Sequence, residues 1–438
     1  MPPSPVSVAV LVDLYRTPAA GGHIKTWERL TEAAAVCRGR LDLTVYVLGA
    51  RERVDPVAPN ARFVSLPAVL GTGPVSRRLG RRGDATDLAP YHPRLARHLH
   101  RHDVWQITHS FAFARTATRL APRLRRPLVA AIQTDVPHLG RIYSRQLVGR
   151  LPSPCARKLA ERLGVDRLTG EVLRRRRDGL LRSCDHLLVA NDADEASMAP
   201  RFPAGSVSRM RRGVDTARFD PARRDRERLA RVYGVPEDRP VVLFAGRADP
   251  SKDVLTVARA VHALGDRAHL FVAGDGTDLP RIRALVGPAA TLPGVLPQDE
   301  LAWIYPSCDV FAFPSRTETI GNVVAEAMAS GLPALVPADA STAQWLAAPG
   351  VDGVAVAGRS PEAWVAALDP LIDDPAGRRA MGLRARSTVE TQHPSWSEVL
   401  AEDLLPVWWR LARGDRPETP AAQAPLRIGA SSPRAFSG

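Results

Sequence analysis

Residues 313–336 read FPSRTETIGNVVAEAMASGLPALV, and the character of the sequence changes three times along this segment. An apolar run ends at Phe313, and a polar loop containing Glu318 and Gly321 follows it. An alanine-rich helical pattern then begins near Asn322, and a second apolar run occupies 334–336. A strand, a glycine-containing loop, a helix and another strand in this order predict one unit of a parallel α/β sheet.

The loop and the start of the predicted helix have the properties of an anion site. Backbone N–H groups at a helix N-terminus bind a diphosphate through hydrogen bonds and through the helix dipole. Glu318 precedes this point and Glu326 follows it inside the helix, so the two carboxylates can accept hydrogen bonds from two sugars at opposite ends of one ligand. The residues predicted to contact such a ligand between them are Thr319, Ile320, Gly321, Asn322 and Val323.

The remaining sequence repeats the alternation of strand and helix. In the second half, short apolar runs at 241–245, 268–273, 290–293 and 310–313 are separated by helical patterns such as 254–264. In the first half, apolar runs at 6–13, 43–48 and 127–133 alternate with helical patterns, and a glycine loop at 18–23 leads into a predicted helix at 25–36. The pattern predicts two doubly wound α/β domains.

The domain boundary is predicted near Asp215, inside an Arg-, Gly- and Pro-rich linker at 209–221. We expect an N-terminal domain over 1–213 and a C-terminal domain over 214–392. A closing helix over 393–413, with Trp396, Trp408 and Trp409, is expected to pack back on the N-terminal domain. Residues 414–438, rich in Pro, Ala and Ser, are expected to be disordered.

The pattern of a Glu, seven residues, a second Glu and then Ala-Met-Ala-Ser-Gly-Leu-Pro resembles the signature of glycosyltransferase family 4. This resemblance implies the GT-B fold, in which two Rossmann-like domains face a central cleft. The N-terminal domain would then bind the acceptor, and the C-terminal domain would bind a nucleotide sugar.

Other segments resemble the same family. The sequence FAGRADPSK at 244–252 is similar to the family's Gly-Arg and following Lys, which implies that Arg247 and Lys252 hold the donor diphosphate. Gly21 and Gly22 resemble the family's glycine loop. Three further segments resemble the linker at the domain junction, a glycine motif and a base-contacting segment, and they contain Asp215, Gly276 and Leu296.

Two segments of the N-terminal half resemble family elements near the transferred sugar. His109 resembles a histidine that lies close to that sugar, although a structural core histidine is the competing interpretation. Gln133 stands where a histidine is common in related enzymes, and Asp135 follows it on the predicted acceptor side. Because glutamine cannot act as a general base near neutral pH, proton transfer at that position is doubtful.

The resemblance implies transfer of a hexose from a UDP- or GDP-sugar to a hydroxyl group, with retention of anomeric configuration. His109, Glu318, Arg247 and Lys252 are the predicted catalytic residues, in a front-face mechanism that needs no metal and no other cofactor. The acceptor is left open as a glycan, a lipid or a natural product. Two alternatives remain: a related epimerase or phosphorylase, and a protein that binds a sugar nucleotide without catalysis.

The chain carries a formal net charge of +14 over 438 residues, and the excess is uneven. Between Arg141 and Arg182 there are 12 Lys/Arg against 4 Asp/Glu. Anionic lipid, a phosphorylated acceptor and solvated helix faces each account for this excess, whereas nucleic acid is not expected because no nucleic-acid-binding motif accompanies it.

Four scattered cysteines predict free thiols and a cytoplasmic protein, with peripheral membrane contact as the alternative.

Overall fold

The structure, a computed structural model, describes residues 4–17, 22–73, 85–131, 144, 148–149, 153–318 and 321–414. The chain forms two compact units. Unit 1 comprises Met1–Arg211 together with the segment that begins at Ser397, and unit 2 comprises Arg212–Trp396. Five predicted site residues and most of the predicted tail lie outside the described residues: Gly21, Gln133, Asp135, Thr319 and Ile320, and 415–438.

Unit 1 is built on an eight-stranded sheet in the order β3-β4-β2-β1-β5-β6-β7-β8. All neighbouring strands are parallel except β3 and β4, which pair antiparallel. The central strands are almost continuously apolar, as expected for a sheet that is covered on both faces. The strands are β1 (Val6–Tyr15), β2 (Leu41–Gly49), β3 (Arg53–Ala58), β4 (Ala61–Pro67), β5 (Val104–Ile107), β6 (Leu128–Ala131), β7 (His186–Val189) and β8 (Val207–Arg209).

Helices connect these strands. They are α1 (Gly22–Ala33), α2 (Pro93–Leu99), α3 (Ala112–Leu124), α4 (Pro154–Arg162), α5 (Val165–Leu181) and α6 (Asp192–Met198). Short 3-10 turns follow α1 at Ala34–Cys37 and α6 at Ala199–Arg201. Trp27, Trp105 and Phe113 are fully buried in the core of this unit.

Unit 2 is built on a six-stranded sheet in the order β11-β10-β9-β12-β13-β14, with every neighbouring pair parallel. Its strands are β9 (Val241–Ala245), β10 (His269–Ala273), β11 (Ala290–Gly294), β12 (Val310–Ala312), β13 (Ala334–Pro337) and β14 (Gly353–Val356). Phe244, Phe311 and Phe313 are buried and stack along the ends of the central strands.

The helices of unit 2 are α7 (Arg226–Tyr233), α8 (Val254–Leu264), α9 (Leu279–Val286), α10 (Gln298–Ser307), α11 (Asn322–Ala329), α12 (Pro361–Asp373) and α13 (Pro375–Gln392). Single 3-10 turns occur at Pro221–Arg223, Gly265–Arg267, Gly287–Ala289 and Ser341–Trp345. The chain then continues through a short helix at Trp396–Glu398 and a π-helical segment at Val399–Leu404.

The last described helix, α14 (Leu405–Ala412), packs within unit 1. Buried Trp408 donates from Nε1 to Oε1 of Gln106 at 2.7 Å, and Trp409 donates to the carbonyl oxygen of Arg40 at 3.0 Å. The C-terminal tryptophans therefore join α14 to residues near the start of β2 and inside β5 of the N-terminal sheet.

The prediction of two α/β units with parallel sheets is confirmed. All four cysteines are free thiols. The interpretation of solvated helix faces does not hold for Arg177. This residue is buried, and its Nη2 donates to Asp178 at 3.0 Å. Among the helices of the described residues, none combines the length and the apolar character that crossing a bilayer requires.

Candidate functional site

The strand order reverses between β9 and β12 in unit 2, and ligands of doubly wound sheets bind where the order reverses, outside the carboxyl ends of the strands. Residues 246–253 follow β9, and residues 313–321 follow β12. Four predicted site residues lie on these two loops: Arg247, Lys252, Glu318 and Gly321.

Lys252 and Glu318 form an ion pair across the two loops. Nζ of Lys252 lies 2.5 Å from Oε1 of Glu318, and the side chains are 13% and 24% exposed. Two hydrogen bonds hold the loops together beside this pair: the hydroxyl groups of Ser315 and Thr317 donate to the carbonyl oxygen of Ser251 at 3.5 and 2.9 Å. The two predicted residues therefore form one half-buried pair of opposite charge.

Arg247 lies on the same loop as Lys252 and faces a carboxylate of that loop. Its Nε is 3.5 Å from Oδ2 of Asp249, and its side chain is 37% exposed. Asp249 also accepts from the backbone N–H of Ser251 at 2.9 Å. Asp253, which directly follows Lys252, has a φ of 54°. A left-handed backbone conformation costs energy for a residue other than glycine and is a frequent feature of functional sites.

Gly321 shows why the loop after β12 requires a glycine. Its φ is +75°, and a Cβ atom at this position would lie 2.6 Å from Cγ2 of Thr342. Gly321 is the residue before α11, so Asn322 and Val323 form the first turn, where backbone N–H groups have no partner inside the helix. The hydroxyl of Ser341 donates to the carbonyl oxygen of Glu318 at 2.5 Å and fixes the preceding part of the loop.

Glu326 lies on the second turn of α11 and contacts a tyrosine that no sequence motif had singled out. The hydroxyl of Tyr305, on α10, donates to Oε2 of Glu326 at 3.3 Å. Burial, with Glu326 close by, raises the pKa of the Tyr305 hydroxyl well above its usual value, so this group stays protonated. Tyr305 therefore orients the Glu326 carboxylate as a fixed donor.

Gly276 lies where the loop after β10 packs against the loop after β9. A Cβ atom at Gly276 would lie 2.2 Å from the carbonyl oxygen of Ala248. The backbone N–H of Ala248 donates to the carbonyl oxygen of Asp275 at 3.0 Å, and the N–H of Asp278 donates to the carbonyl oxygen of Ala248 at 2.9 Å. Only a residue without a side chain allows this approach. Leu296, half-buried, lies between β11 and α10.

The strand order of unit 1 also reverses, between β1 and β5, and His109 follows β5. His109 is buried, which lowers the pKa of its imidazole to about 4. The hydroxyl of Thr108 donates to the carbonyl oxygen of Leu11 at 2.9 Å, and its oxygen lies 2.9 Å from Nδ1 of His109. Because that hydroxyl has a single hydrogen, Nδ1 of His109 must donate to it, which leaves Nε2 as an acceptor.

His23, the second residue of α1, brings the loop after β1 to His109. The ring centroids of His23 and His109 are 4.4 Å apart in an edge-to-face arrangement. Gly22, the first residue of α1, is exposed, and a Cβ atom there would meet nothing within 4 Å. Packing therefore does not explain the glycine at this position.

Asp13 is a buried residue that positions the loop around His109, and sequence reasoning assigned it no role in the site. Its Oδ1 accepts from the N–H of Phe113 at 2.7 Å, and its Oδ2 accepts from the N–H of Ala114 at 3.3 Å. It thus caps the first turn of α3. Burial raises the pKa of the Asp13 carboxyl to about 7. An acidic residue near the end of an apolar strand was the available sequence signal.

Across the described ranges, no group of three or more His, Cys, Asp or Glu side chains is arranged to hold a metal ion.

Comparisons with known proteins bear on both units. Residues 225–388 match the family described as glycosyl transferases group 1. A D-inositol 3-phosphate glycosyltransferase of Kineococcus radiotolerans is 30% identical over 343 residues, which cover 72% of this chain and 73% of that protein. The chain belongs to the group 1 glycosyltransferases.

A second relative of this glycosyltransferase is more similar over a shorter length. A GDP-mannose-dependent alpha-mannosyltransferase of Mycolicibacterium smegmatis is 36% identical over 280 residues, which cover 64% of this chain and 66% of that protein. Two other relatives are matched over 50% and 58% of their own lengths. The chain thus spans between half and about two thirds of these relatives.

The fold of this group 1 glycosyltransferase is similar to that of a solved enzyme. Sucrose-phosphate synthase from Thermosynechococcus elongatus superposes with a TM-score of 0.67, at 19% identity, over 93% of this chain and 100% of that one. At this level of identity the likeness establishes the fold alone. The predicted fold class is confirmed by it.

Proposed function

We propose that this chain transfers a hexose from a nucleoside-diphosphate sugar to a hydroxyl acceptor, with retention of anomeric configuration, as in glycosyltransferase family 4. The observation that carries the proposal is the contact of Lys252 with Glu318, 2.5 Å long, where the strand order of unit 2 reverses. A cation, a carboxylate and the start of α11 are there combined at an edge where such sheets bind ligands.

In the proposed donor site, cations and backbone N–H groups contact the diphosphate, and carboxylates contact the two sugars. Arg247 and Lys252 bind the diphosphate, since fixed cations make strong charge-assisted hydrogen bonds to phosphate oxygens. The backbone of Gly321 and of the first turn of α11 adds N–H donors and the helix dipole. Glu318 accepts from hydroxyls of the hexose and Glu326 accepts from the ribose. Gly276 and Leu296 lie towards the nucleotide.

The proposed reaction places negative charge on the leaving diphosphate. The acceptor hydroxyl attacks the anomeric carbon from the face that the diphosphate leaves, and a diphosphate oxygen takes the hydroxyl proton. Arg247 and Lys252 stabilise the charge as it develops. Lys252 can bind Glu318 and a phosphate oxygen together, because an ammonium group has three donors. Neutral His109 offers the lone pair of Nε2 to a sugar hydroxyl.

The assignment of Lys252 and Glu318 is tested by Lys252→Ala and Glu318→Ala. Loss of one preorganised contact to a developing charge lowers turnover about 10²- to 10³-fold, and we expect losses of this order for both variants. Arg267→Ala is the control, since Arg267 forms exposed ion pairs with Asp369 and Asp373 elsewhere in unit 2. Near-normal turnover by both test variants, measured on the true acceptor, would refute the assignment.

The donor is tested by thermal-shift measurements with GDP-mannose and UDP-glucose, because a ligand that binds only the folded state raises the melting temperature. The GDP-mannose-dependent relative makes GDP-mannose the first donor to test.

We propose that transfer needs no divalent metal, so product formation should persist in EDTA. Complete loss of transfer in EDTA, restored by Mg²⁺ or Mn²⁺, would contradict this part of the proposal.

We also propose that α4 and α5 contact an anionic lipid surface. Leu159, Leu163 and Leu168 are 58%, 67% and 63% exposed there, among the Arg and Lys side chains of both helices. Apolar side chains with surrounding cations favour binding to anionic membranes. Binding to phosphatidylglycerol vesicles should weaken in high salt and in Leu163→Ser. Leu383→Ser is the matched control, because Leu383 is also 67% exposed but lies in unit 2. Equal binding by both variants would contradict the contact.

A further inference from the structure

A groove of about 400 Å³ lies between α3 and α5 in unit 1. Arg115, Thr118 and Arg119 line it from α3, and Arg176, Gly179 and Leu180 line it from α5. Both sets have the spacing i, i+3, i+4, which places their members on one face of a helix. The groove is therefore formed by two helix faces that together supply three guanidinium groups.

The three arginines of this groove differ from their neighbours in their ionic contacts. Within the described part of the chain, no carboxylate lies within 4 Å of the charged nitrogens of Arg115, Arg119 or Arg176. On the same helix, Arg174 and Arg175 both pair with Glu171, at 2.7 and 3.0 Å. Glu171 and Asp178 of α5 thus pair with neighbouring arginines of the same helix, and neither carboxylate pairs with an arginine of the groove.

Arg115 is held in place by the backbone. Its Nη1 donates to the carbonyl oxygens of Leu88 and Ala89 at 2.9 and 3.4 Å. That loop is itself fixed, because Asp87 accepts from the N–H groups of Val69, Leu70 and Ala89 at 2.7 to 2.9 Å. The Arg115 guanidinium makes no other hydrogen bond to the described residues, so Nε and Nη2 remain as donors with a fixed orientation.

The electrostatics of the groove favour the binding of an anion. Burial lowers the pKa of the Arg115 guanidinium and is the largest cause of this shift. The positive charges of Arg176 and Arg119 lower the pKa further. Asp13 and Asp87 act in the opposite direction, but both carboxylates already accept backbone N–H groups. An anion between the three guanidinium groups would relieve their repulsion.

Gly179 and Ser110 complete the groove. A Cβ atom at Gly179 would meet nothing within 4 Å, so the helix surface is open at this point. Ser110 lines the groove, and its hydroxyl makes no hydrogen bond to any residue of the described chain. The site therefore offers space, a neutral donor and planar cationic donors, which suit the several oxygens of a phosphate group.

We propose that this groove binds a phosphate group of a ligand, with Arg115, Arg119 and Arg176 as its cationic partners. The group is the phosphate of a soluble phosphorylated compound or of a lipid headgroup. This site is formed by residues of unit 1, and it does not depend on the transfer reaction.

The test uses the full chain and two probes, glycerol 1-phosphate followed by calorimetry and phosphatidylglycerol vesicles followed by co-sedimentation. Arg176→Gln removes one of the three cations, and Arg175→Gln is its control with the same loss of charge on the same helix. Gly179→Glu introduces a carboxylate into the open space, and Gly179→Ala is its control. Loss of one charged hydrogen-bond partner, or the new carboxylate, should weaken binding about 10-fold or more.

Two results support the proposal and identify the source of the phosphate. If glycerol 1-phosphate binds, and only Arg176→Gln and Gly179→Glu weaken it, the ligand is a soluble phosphorylated compound. If only the vesicles bind, and the same two variants alone weaken that binding, the ligand is a lipid headgroup. The proposal is overturned if neither probe binds, or if both control variants lose as much affinity as their test variants.

Discussion

Lys252 and Glu318 neutralise each other, and their contact holds two chemically different groups at one place. A half-buried cation without a partner would be costly, and so would a half-buried carboxylate. Pairing them removes this cost without closing the site, because the ammonium keeps donors for a phosphate and the carboxylate keeps acceptor positions for hydroxyls. We therefore interpret the pair as a preorganised part of the proposed donor site.

Gly321→Ala should destabilise the fold for two separable reasons. The left-handed φ of +75° costs an alanine roughly 1–2 kcal/mol. The overlap with Cγ2 of Thr342 adds an overpacking cost of about 1–3 kcal/mol. Urea unfolding measures the sum, and the added substitution Thr342→Ser should recover the overlap part alone.

Gly234→Ala isolates the backbone part of that effect. Gly234 has a φ of +66°, and a Cβ atom there would meet nothing within 4 Å. Equal losses of unfolding free energy in Gly234→Ala and Gly321→Ala would show that Thr342 does not crowd the loop.

Sequence patterns identified site residues that share a motif and missed those that only the fold brings together. Glu318, Gly321 and Glu326 stand in one short segment, so their spacing was informative. Tyr305 and Asp13 act through contacts with residues 21 and 100 positions away, which no local pattern reports. Solvated helix faces were one interpretation of the segment from Arg141 to Arg182, but Arg177 is buried and pairs with Asp178.

At the scale of elements, the site depends on where parallel strands end. β9 and β12 are adjacent in unit 2, and β1 and β5 are adjacent in unit 1, although neither pair is consecutive along the chain. Within each unit the segments that follow these strands therefore converge. They carry Lys252 and Glu318 in unit 2, and His23 and His109 in unit 1. The chemistry of each unit is placed by strand order rather than by closeness in sequence.

His102 joins β1 to β2 and should make stability depend on pH. Its Nδ1 lies 2.9 Å from the hydroxyl of Ser7, and its Nε2 lies 2.9 Å from the hydroxyl of Tyr46. Burial lowers the pKa of His102 in the folded state from 6.5 to about 4. The unfolded chain therefore binds the proton more readily between these values, and stability that is present above pH 6.5 is lost as the pH falls towards 4.

The size of this effect can be isolated with His102→Gln. A pKa shift of this size corresponds to about 3 kcal/mol of unfolding free energy. The wild type should lose this free energy between pH 7 and pH 4, whereas His102→Gln should not. Urea unfolding at several pH values measures the difference, and His262→Gln, at an exposed position of α8, is the control. The same pH dependence in the wild type and in His102→Gln would contradict the role of His102.

The strands of unit 2 were the more predictable elements. β9 to β13 are short apolar runs between turn residues, so their positions followed from composition. β3 was missed because it is largely exposed, polar and contains Pro56. β8 was missed because three residues form too short a run to recognise, and it lies at the edge of its sheet. Pairing with a neighbouring strand, which a single segment does not reveal, stabilises such strands.

At the scale of the whole molecule, the chain repeats one architecture with different chemistry. Unit 2 carries the family match and the paired charges of Lys252 and Glu318. Unit 1 carries neutral His109 and the arginine-lined groove between α3 and α5. This division agrees with the proposal that unit 2 binds the donor and that unit 1 selects the acceptor.

The central claim is that a donor diphosphate binds at the loops after β9 and β12. Its most direct test is a crystal structure of the full chain soaked with the nucleotide sugar that gives the largest thermal shift. We predict diphosphate oxygens within hydrogen-bond distance of Arg247, Lys252 and the first turn of α11, with Glu318 on the hexose and Glu326 on the ribose. A nucleotide bound elsewhere, with the ion pair of Lys252 and Glu318 untouched, would contradict the claim.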